Sequence, residues 1–391
     1  MATNTILTND ILASRAVAAL YNEQVMPELV TTDYSNEFAD NTRGYRQGQS
    51  IRVPVEPVLA AGVWNGSTVT AQNFTEPDVD IDLDTILDVT LDFTSYQSTL
   101  DIDIISDRVV VPAMKALADK VNSLCLEKFA QGTPYYYGTA GATPAALADY
   151  TNTVNVLDTN KCPAMDRRLV INPAAKNKYQ QIDTFYEANK VGDDGTALRT
   201  GSLGEKFGLQ MFMSQAVYSH TKGTLAANTT AGNIFVKGAV SSGATSLTLD
   251  QNGSGTLTGT LVVGDILKVT DASTGAVSYL AVTANSTASA NQIAVTCEDA
   301  DIAIADNSTV QVVGSHVANL AFHKNAFAFV SRPLNAAVGA GDSGIIINPF
   351  NNQSVRWTLD YDQNTKKSQL SFDMLCGFKV LNPKLAARLL G

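Results

Sequence analysis

Residues 79–93 spell Val-Asp-Ile-Asp-Leu-Asp-Thr-Ile-Leu-Asp-Val-Thr-Leu-Asp-Phe. Apolar and polar residues alternate along this stretch, which is the pattern of a β-strand with one buried face. At about 3.3 Å per residue such a strand spans roughly 50 Å, whereas a compact domain of this length has a radius of gyration of about 21 Å. Unless the strand bends or breaks, part of it is therefore predicted to project beyond its own subunit.

A second extended segment, residues 49–59, precedes this strand and is joined to it by a Gly-, Thr- and Asn-rich stretch around Trp64. Pro54 and Pro57 cannot donate hydrogen bonds to a β-ladder, so the segment is predicted to be an edge strand or a free arm. Together the two segments predict a long hairpin.

Three further segments have clear local signals. Residues 9–26 carry a thin, alanine-rich apolar face that ends at Pro27, which predicts a helical arm that docks on another surface. Apolar residues recur on one face of residues 107–131 and predict a long amphipathic helix, which Pro112 either starts or kinks. Residues 167–173, Arg-Arg-Leu-Val-Ile-Asn-Pro, predict a buried strand that stops at Asn-Pro.

The composition changes abruptly between about Leu225 and Gly314, where Lys237 and Lys268 are the only basic residues and Gly, Ser, Thr and Val dominate. Short β-like runs separated by turns predict a small antiparallel barrel or sandwich. The runs cover residues 234–237, 246–249, 260–270, 277–283, 292–296 and 309–313. Because helix and strand patterns resume at Val317, this module is predicted to interrupt a discontinuous host domain.

The overall composition excludes several classes of function. The 391 residues include 27 Lys and Arg against 38 Asp and Glu, and this net charge of -11 disfavours an electrostatic nucleic-acid binder. No apolar run reaches the roughly 18 residues of a membrane span, and the N-terminus lacks the pattern of a secretory signal, so we expect a cytosolic product. Charged residues make up 17% of the chain. Average domains carry roughly 25%, and charge depletion is typical of buried interfaces, so the composition favours self-association.

One short motif suggests catalysis. Gly341-Asp342-Ser343-Gly344 matches the loop around the nucleophile of chymotrypsin-like proteases. That chemistry needs a histidine bonded to the serine and a carboxylate behind it, yet none of the three histidines lies in a protease-like context. A Gly-rich turn before a strand is therefore the favoured interpretation, and a Ser343-dependent hydrolase is kept as the weaker alternative.

Several other residues are candidate ligands. Asp78, Asp80, Asp82 and Asp84 alternate with apolar residues, which favours a solvated strand face over a face opposite a neighbour's basic residues, and either over a metal ladder. His316 and His323 have the wrong spacing for one helical metal face. The four cysteines, which are scattered and form no C-x-x-C pair, are expected to be buried thiols: Cys125, Cys162, Cys297 and Cys376. We predict no catalytic, cofactor-binding or metal site, and no cofactor.

The order of these segments is more distinctive than any motif. Short patches at Ser50–Glu56, Leu169–Pro173 and Asn319–Ala328 accompany it. Order and patches together resemble the major coat proteins of short-tailed bacteriophages of the P-twenty-two-like family. The resemblance implies an α+β chain with the Hong-Kong-ninety-seven-like capsid fold, in which an antiparallel β-barrel is inserted.

The resemblance also implies a domain plan, in which the hairpin is the extended E-loop and the long helix is the spine of the peripheral domain. The implied ranges are 1–35 for the N-terminal arm, 36–106 for the E-loop hairpin and peripheral strands, 107–144 for the spine helix, 145–224 for the first part of the axial domain, 225–314 for the inserted barrel, 315–345 for the second axial part, and 346–391 for a β-rich segment of the peripheral and axial domains.

The function implied by the resemblance is that of a structural major capsid protein, not an enzyme, that self-assembles into an icosahedral shell around phage double-stranded DNA. Its partners would be further copies in pentamers and hexamers, a separate scaffolding protein and a portal, with neither sequence-specific DNA binding nor a membrane. It would be assembled in the host bacterial cytoplasm and located in the virion capsid. An encapsulin-like nanocompartment shell is the alternative on the same fold, and an adhesin-like β-protein is disfavoured by the missing export signal.

Overall fold

A computed structural model describes residues 25–32, 34, 50–54, 78–94, 111–186, 200–227, 233–251, 256–335, 342–347, 353–364 and 367–391. All but the last two residues of the predicted arm helix, and the hairpin tip with Pro57 and Trp64, lie outside this part of the chain. Pro27 lies in the first turn of a short helix, Met26–Leu29, so it does not end a longer one as predicted.

The helices are α1 Met26–Leu29, α2 Val111–Gln131, α3 Leu147–Thr159, α4 Pro173–Tyr179 and α5 Asp183–Tyr186. The strands are β1 Ser50–Pro54, β2 Asp78–Asp82, β3 Thr85–Thr94, β4 Tyr136–Tyr137, β5 Arg167–Ile171, β6 Glu205–Lys206, β7 Leu209–Met213, β8 Ser219–His220, β9 Ala226–Ala227, β10 Ile234–Val236, β11 Ser246–Asp250, β12 Leu257–Thr258, β13 Thr260–Leu261, β14 Ile266–Thr270, β15 Val277–Ala281, β16 Ser286–Thr287, β17 Gln292–Thr296, β18 Thr309–Val312, β19 His316–His323, β20 Phe327–Arg332, β21 Asp342–Ile347, β22 Ser354–Asp362, β23 Lys367–Val380 and β24 Ala386–Leu390. None of the described helices combines the length and the apolar character that a membrane span requires.

The chain divides into two units, each formed from separated stretches of sequence. The first unit consists of Met1–Lys120 and Phe327–Asn382, and the second of Val121–Ala326 and Pro383–Gly391. Helix α2 contributes residues to both. Residues 315–345, which the implied domain plan assigns to one part of the axial domain, are likewise divided between the two units, because the boundary falls after Ala326.

The first unit is built on the 14-residue strand β23. Strand β3 pairs with one side of β23 over ten residues, and β22 and β20 pair with successive parts of its other side. Strand β21 then pairs with β22, and all these pairings are antiparallel. A separate antiparallel hairpin of β1 and β2 buries Ile51, Val53 and Ile81 against Ala328 and Val330 of β20.

The second unit contains a mixed sheet with the order β4-β24-β19-β5-β7-β6, which we call the host sheet. Its core lies under helices α3, α4 and α5 and includes Tyr150, Tyr179 and Phe185, none of which has accessible surface. Asn172 ends the predicted strand and also begins the next helix, because its side chain accepts a hydrogen bond from the backbone of Ala175 and proline occupies the first turn.

The region between 225 and 314 forms a closed antiparallel barrel with its own core. Its strands follow the order β15-β14-β18-β10-β11-β17, and a bridge between Val282 and Cys297 joins the two ends of this series. The run predicted at 260–270 is two strands, because the backbone turns at Gly264, where φ is +91°. Apart from this break, a strand lies within each predicted run.

Candidate functional site: assembly elements and the barrel junction

The aspartate-rich strand faces an arginine of its own hairpin. In the register of β1 and β2, Arg52 lies opposite Asp80, and its Nε is 2.5 Å from Asp78 Oδ2 and 3.2 Å from Asp80 Oδ1. These carboxylates raise the pKa of Arg52, the hydrogen bond to Asp80 contributing most. All three side chains are at least 42% exposed in the single chain, and a basic residue of the same chain already meets this face.

The extended segment of residues 79–93 is broken and does not form one long arm. Strand β2 ends at Asp82 and pairs with β1, whereas β3 begins at Thr85 and pairs with β23. Gly377 of β23 lies under the break, and a Cβ atom there would be 2.2 Å from the carbonyl oxygen of Asp82. Most of the predicted 50 Å span is therefore held within the first unit by its pairing with β23.

The Gly-Asp-Ser-Gly motif lies in β21, where Ser343 pairs with Thr358 of β22. The next residue, Gly344, supports the indole of Trp357, because a Cβ atom at this position would be 2.5 Å from the indole nitrogen. The first unit, which contains Ser343, holds no histidine, since His220, His316 and His323 all belong to the second. The second glycine of the motif therefore has a packing role.

The four cysteines are buried free thiols, as predicted. Burial raises the pKa of Cys297 to about 11 and that of Cys376 to about 12, so both remain protonated at neutral pH. Among the residues that the structure describes, no group of His, Cys, Asp or Glu side chains is arranged to hold a metal ion.

The most elaborate polar arrangement lies where the barrel joins the host sheet, and we call it the barrel junction. Arg388 of β24, which has no accessible surface, is at its centre. Its Nε donates to the carbonyl of Thr133 at 2.7 Å, Nη1 to that of Gly264 at 2.9 Å, and Nη2 to that of Gln131 at 3.3 Å. One guanidinium therefore connects the host sheet, the C-terminal end of α2 and the barrel.

The charge of Arg388 has two compensating features. Gln131 is the last residue of α2, where the unpaired carbonyls of a helix favour a cation, and Asp265 supplies a nearby carboxylate. Burial lowers the pKa of Arg388 to about 9, and the attraction of Tyr218 and Asp265 opposes this shift. The side chain is therefore still a cation at neutral pH.

Asp265 is the acidic counterpart in the junction and has no accessible surface. Its Oδ1 lies 2.8 Å from Nε2 of His220, and its Oδ2 accepts hydrogen bonds from the backbone N–H groups of Val262 at 2.9 Å and Gly223 at 3.2 Å. The carboxylate thus joins the last strand before the barrel, the linker and a barrel turn. A Cβ atom on Gly223 would be 2.3 Å from the carbonyl of Thr260, so only glycine fits this linker position.

A second anchor holds the barrel through Asp301. The hydroxyl of Tyr135 donates a short hydrogen bond to Asp301, and Lys384 Nζ lies 2.9 Å from the other carboxylate oxygen. Burial, with Asp301 as the second cause, raises the pKa of Tyr135. Tyr279 of the barrel packs edge-on against Tyr135 and Tyr136, at ring-centre distances of 6.1 and 5.4 Å.

Of the junction residues, the sequence drew attention only to His220 and His316: both as histidines without a protease-like context, and His316 also as a possible metal ligand. His316 is the first residue of β19 and pairs with His220 of β8, and their rings are 5.4 Å apart. His323, at the other end of β19, is half-buried. The only signals in the sequence were an aspartate beside Gly264 and an arginine within the apolar C-terminal run, and neither identifies its partner.

Comparison with known proteins identifies the fold. No family model matches the chain, and no curated protein matches it. A solved structure described as Mycobacterium phage Che8 is similar, with a TM-score of 0.53 and 13% identity over 93% of this chain and 90% of that chain. A capsid structure of the cyanophage P-SCSP1u gives a TM-score of 0.45 and 13% identity over 88% of this chain and 83% of that chain.

The chain has the Hong-Kong-ninety-seven-like capsid fold, and the predicted fold class is confirmed. The likeness extends over nearly the whole chain, as the order of segments predicted.

Proposed function

We propose that this chain is the structural major capsid protein of a bacteriophage and that its copies assemble into an icosahedral shell enclosing double-stranded DNA. The observation that carries the proposal is the capsid fold, which is shared with a phage structure over 93% of this chain. An enzymatic role has no comparable support in the described structure. Arg388, His220 and Asp265 are buried, and their polar atoms are engaged in hydrogen bonds within the junction.

Surface features of the first unit support self-assembly. Strand β21 pairs with β22 on one side, and no partner strand lies along its other side within the described residues. Ile345 and Ile347 on this edge are 43% and 55% exposed. An exposed apolar edge strand favours pairing with another chain, and an assembly of many copies would cover it.

The net charge of -11 fits a wall that confines DNA without binding it, because packed phosphates would be held fast by a basic surface. We propose pentamers and hexamers as the repeating contacts, a separate scaffolding protein and a portal as partners, assembly in the host cytoplasm, and the virion capsid as the final location. The implied domain plan is proposed with it: β1 to β3 within the E-loop region and peripheral strands, α2 as the spine, and the host sheet within the axial domain.

The proposal is tested by the size of the particles that the purified chain forms. We expect the full chain to give megadalton particles, either closed shells or aberrant curved assemblies, because weak contacts repeated around each copy become strong together. Deletion of residues 1–24 should leave a soluble, folded chain, since the buried residues Met26, Leu29 and Val30 are retained, but should impair correct assembly. Sedimentation velocity and negative-stain microscopy measure both results.

Normal shells from the shortened chain, at undiminished yield, would refute the assembly role of the N-terminal arm. The capsid proposal itself fails if the full chain stays a monomer at high concentration, both alone and when produced with the other structural proteins of its virus. Shells that enclose an enzyme in place of DNA would instead support the nanocompartment alternative.

Replacing Ser343 with alanine should change neither stability nor assembly, with a free-energy change of unfolding within about 0.5 kcal/mol. The matched variant Gly344→Ala should be destabilised, because the new methyl group would meet the indole of Trp357. Thermal unfolding and particle yield give the comparison. A hydrolytic activity that disappears in the Ser343→Ala variant would revive the hydrolase interpretation.

A further inference from the structure

The barrel junction contains a pair of histidines that the structural roles of its other residues do not explain. His316 lies two residues after Gly314, on the segment that leaves the barrel, and His220 lies on the segment that leads to it. Both side chains are buried, with 3% and 2% of their surface exposed. Two imidazoles therefore meet where both connections of the barrel enter the host sheet.

The hydrogen bonds of His316 fix its protonation pattern at neutral pH. Its Nδ1 is 2.8 Å from the carbonyl oxygen of Gly314, which can only accept, so Nδ1 carries the proton. Its Nε2 is buried and has no hydrogen-bond partner in the described part of the chain. Protonation there would create a buried N–H donor and a positive charge with no acceptor to receive them.

The groups that face His316 make this second proton unfavourable. Arg388 of β24 and His220 of β8 disfavour it, and Asp265 of the barrel favours it. Burial is the largest cause that lowers the pKa of His316, which falls to about 4, and the hydrogen bond to Gly314 opposes the shift. Asp265 cannot fully offset a new cation, because it already accepts bonds from His220, Gly223 and Val262.

We propose that the barrel junction is an acid-released latch, with His316 as the group whose protonation frees the inserted barrel from the host sheet. In the closed state the junction holds the barrel by the bonds from Arg388 to Gly264 and from His220 to Asp265, in addition to the second anchor at Asp301. A proton on Nε2 of His316 places a further cation beside Arg388, and opening the junction lets water solvate it. Apart from Tyr279, which packs against Tyr135 and Tyr136, the barrel and the host sheet have separate buried cores, so the connection between them yields first.

The direction of the pH dependence follows from the lowered pKa. An exposed histidine titrates near 6.5, so the closed junction binds fewer protons than the open one. The contribution of His316 to the stability of the closed state is therefore fully present above about pH 6.5. It is lost as the pH falls from 6.5 toward 4, and below pH 4 this group causes no further loss. Each pH unit within this window shifts the equilibrium toward opening by up to about tenfold.

Two exchange measurements on the full chain test the latch. Exchange of the imidazole C2 hydrogen, followed by mass spectrometry over a pH series, should give a pKa of about 4 for His316. Amide exchange, corrected for the intrinsic effect of pH, should accelerate between pH 6.5 and 4 at Lys222 and Gly223, whose N–H groups bond to Ser315 and Asp265. The amides of the barrel pair β11 and β17 should remain protected.

The His316→Gln variant cannot take up the proton, so its junction amides should lose most of their acid sensitivity. The matched variant His323→Gln changes the other end of the same strand and should respond like the unchanged chain. A pKa of His316 near 6.5 would overturn the proposal, and this measurement needs no variant to fold. Equal acid sensitivity of the Lys222 and Gly223 amides in the His316→Gln variant would also overturn it.

Discussion

Replacing Arg388 with methionine is expected to reduce the free energy of unfolding of the second unit by about 3–5 kcal/mol. Methionine matches the length of the apolar stem but leaves the carbonyls of Thr133, Gln131 and Gly264 without their shared donor. It also removes the nearby cation from the buried carboxylate of Asp265. Because the bonds of Arg388 to Thr133 and Gly264 are buried, solvent cannot readily replace them in the closed junction.

The geometry of Arg388 predicts a graded series of variants. Arg388→Lys keeps the positive charge but replaces the planar guanidinium, which can donate to several carbonyls at once, with a single ammonium group. It should therefore recover only part of the stability that Arg388→Met loses. Lys384→Met removes the ion pair with Asp301 at the second anchor, where the lysine side chain is 50% exposed, and should cost less than about 1 kcal/mol.

Circular dichroism with urea follows all three unfolding transitions. Tryptophan emission should report little of the change, because the residues of the second unit, Val121–Ala326 and Pro383–Gly391, include no tryptophan. A loss for Arg388→Met no larger than that for Lys384→Met would contradict the role given to the guanidinium.

The comparison of sequence and structure shows which features local patterns can predict. Periodicity located the long helix α2, the buried strand at 167–171 and the barrel, because each depends on which face of a short segment is apolar. The break within the run at 260–270 was missed: the backbone turns at Gly264, where φ is +91°, and the alternation on either side does not show this break.

The junction could not be predicted for the same reason. Arg388 and Gly264 are 124 positions apart, and His220 and Asp265 are 45 positions apart. Each residue alone looks like an ordinary polar interruption of a strand or turn. These residues form a site only because the folded chain buries them next to one another. Which residues meet in this way depends on the pairing of distant strands, which the sequence pattern does not specify.

The aspartate-rich strand lies between these two cases: its local pattern was read correctly, but its pairing was not. Its alternation correctly indicated a face that is exposed in the single chain. The position of Arg52 opposite Asp80 depends on the register of the hairpin, which a period of two does not specify by itself. The break after Asp82 was equally hidden, because it packs against Gly377, a glycine almost 300 positions later.

Gly377→Ala is expected to reduce the free energy of unfolding of the first unit by about 2–3 kcal/mol. Alanine in place of glycine within a strand normally stabilises by limiting the unfolded chain, by about 0.4–1 kcal/mol. Here the added Cβ would lie 2.2 Å from the carbonyl oxygen of Asp82, which is backbone and cannot rotate away. The segment between β2 and β3 must therefore lift from β23, and the burial of Leu83, now only 5% exposed, would be reduced.

The comparison variant is Gly275→Ala, where φ is +70° but no atom lies within 4 Å of the new methyl group, whereas Gly377 meets the collision without a left-handed backbone. It measures the cost of a left-handed alanine without a collision, about 1 kcal/mol. Circular dichroism compares the two variants, and emission from the buried Trp357 assigns the loss in Gly377→Ala to the first unit. If Gly377→Ala were as stable as the unchanged chain, the crossing over β23 would be looser than the structure shows, and residues 79–93 would be free to act as the single projecting arm that their alternation predicts. A large loss would instead mean that the arm is divided at Asp82, with only the part paired to β1 left to reach a neighbouring copy.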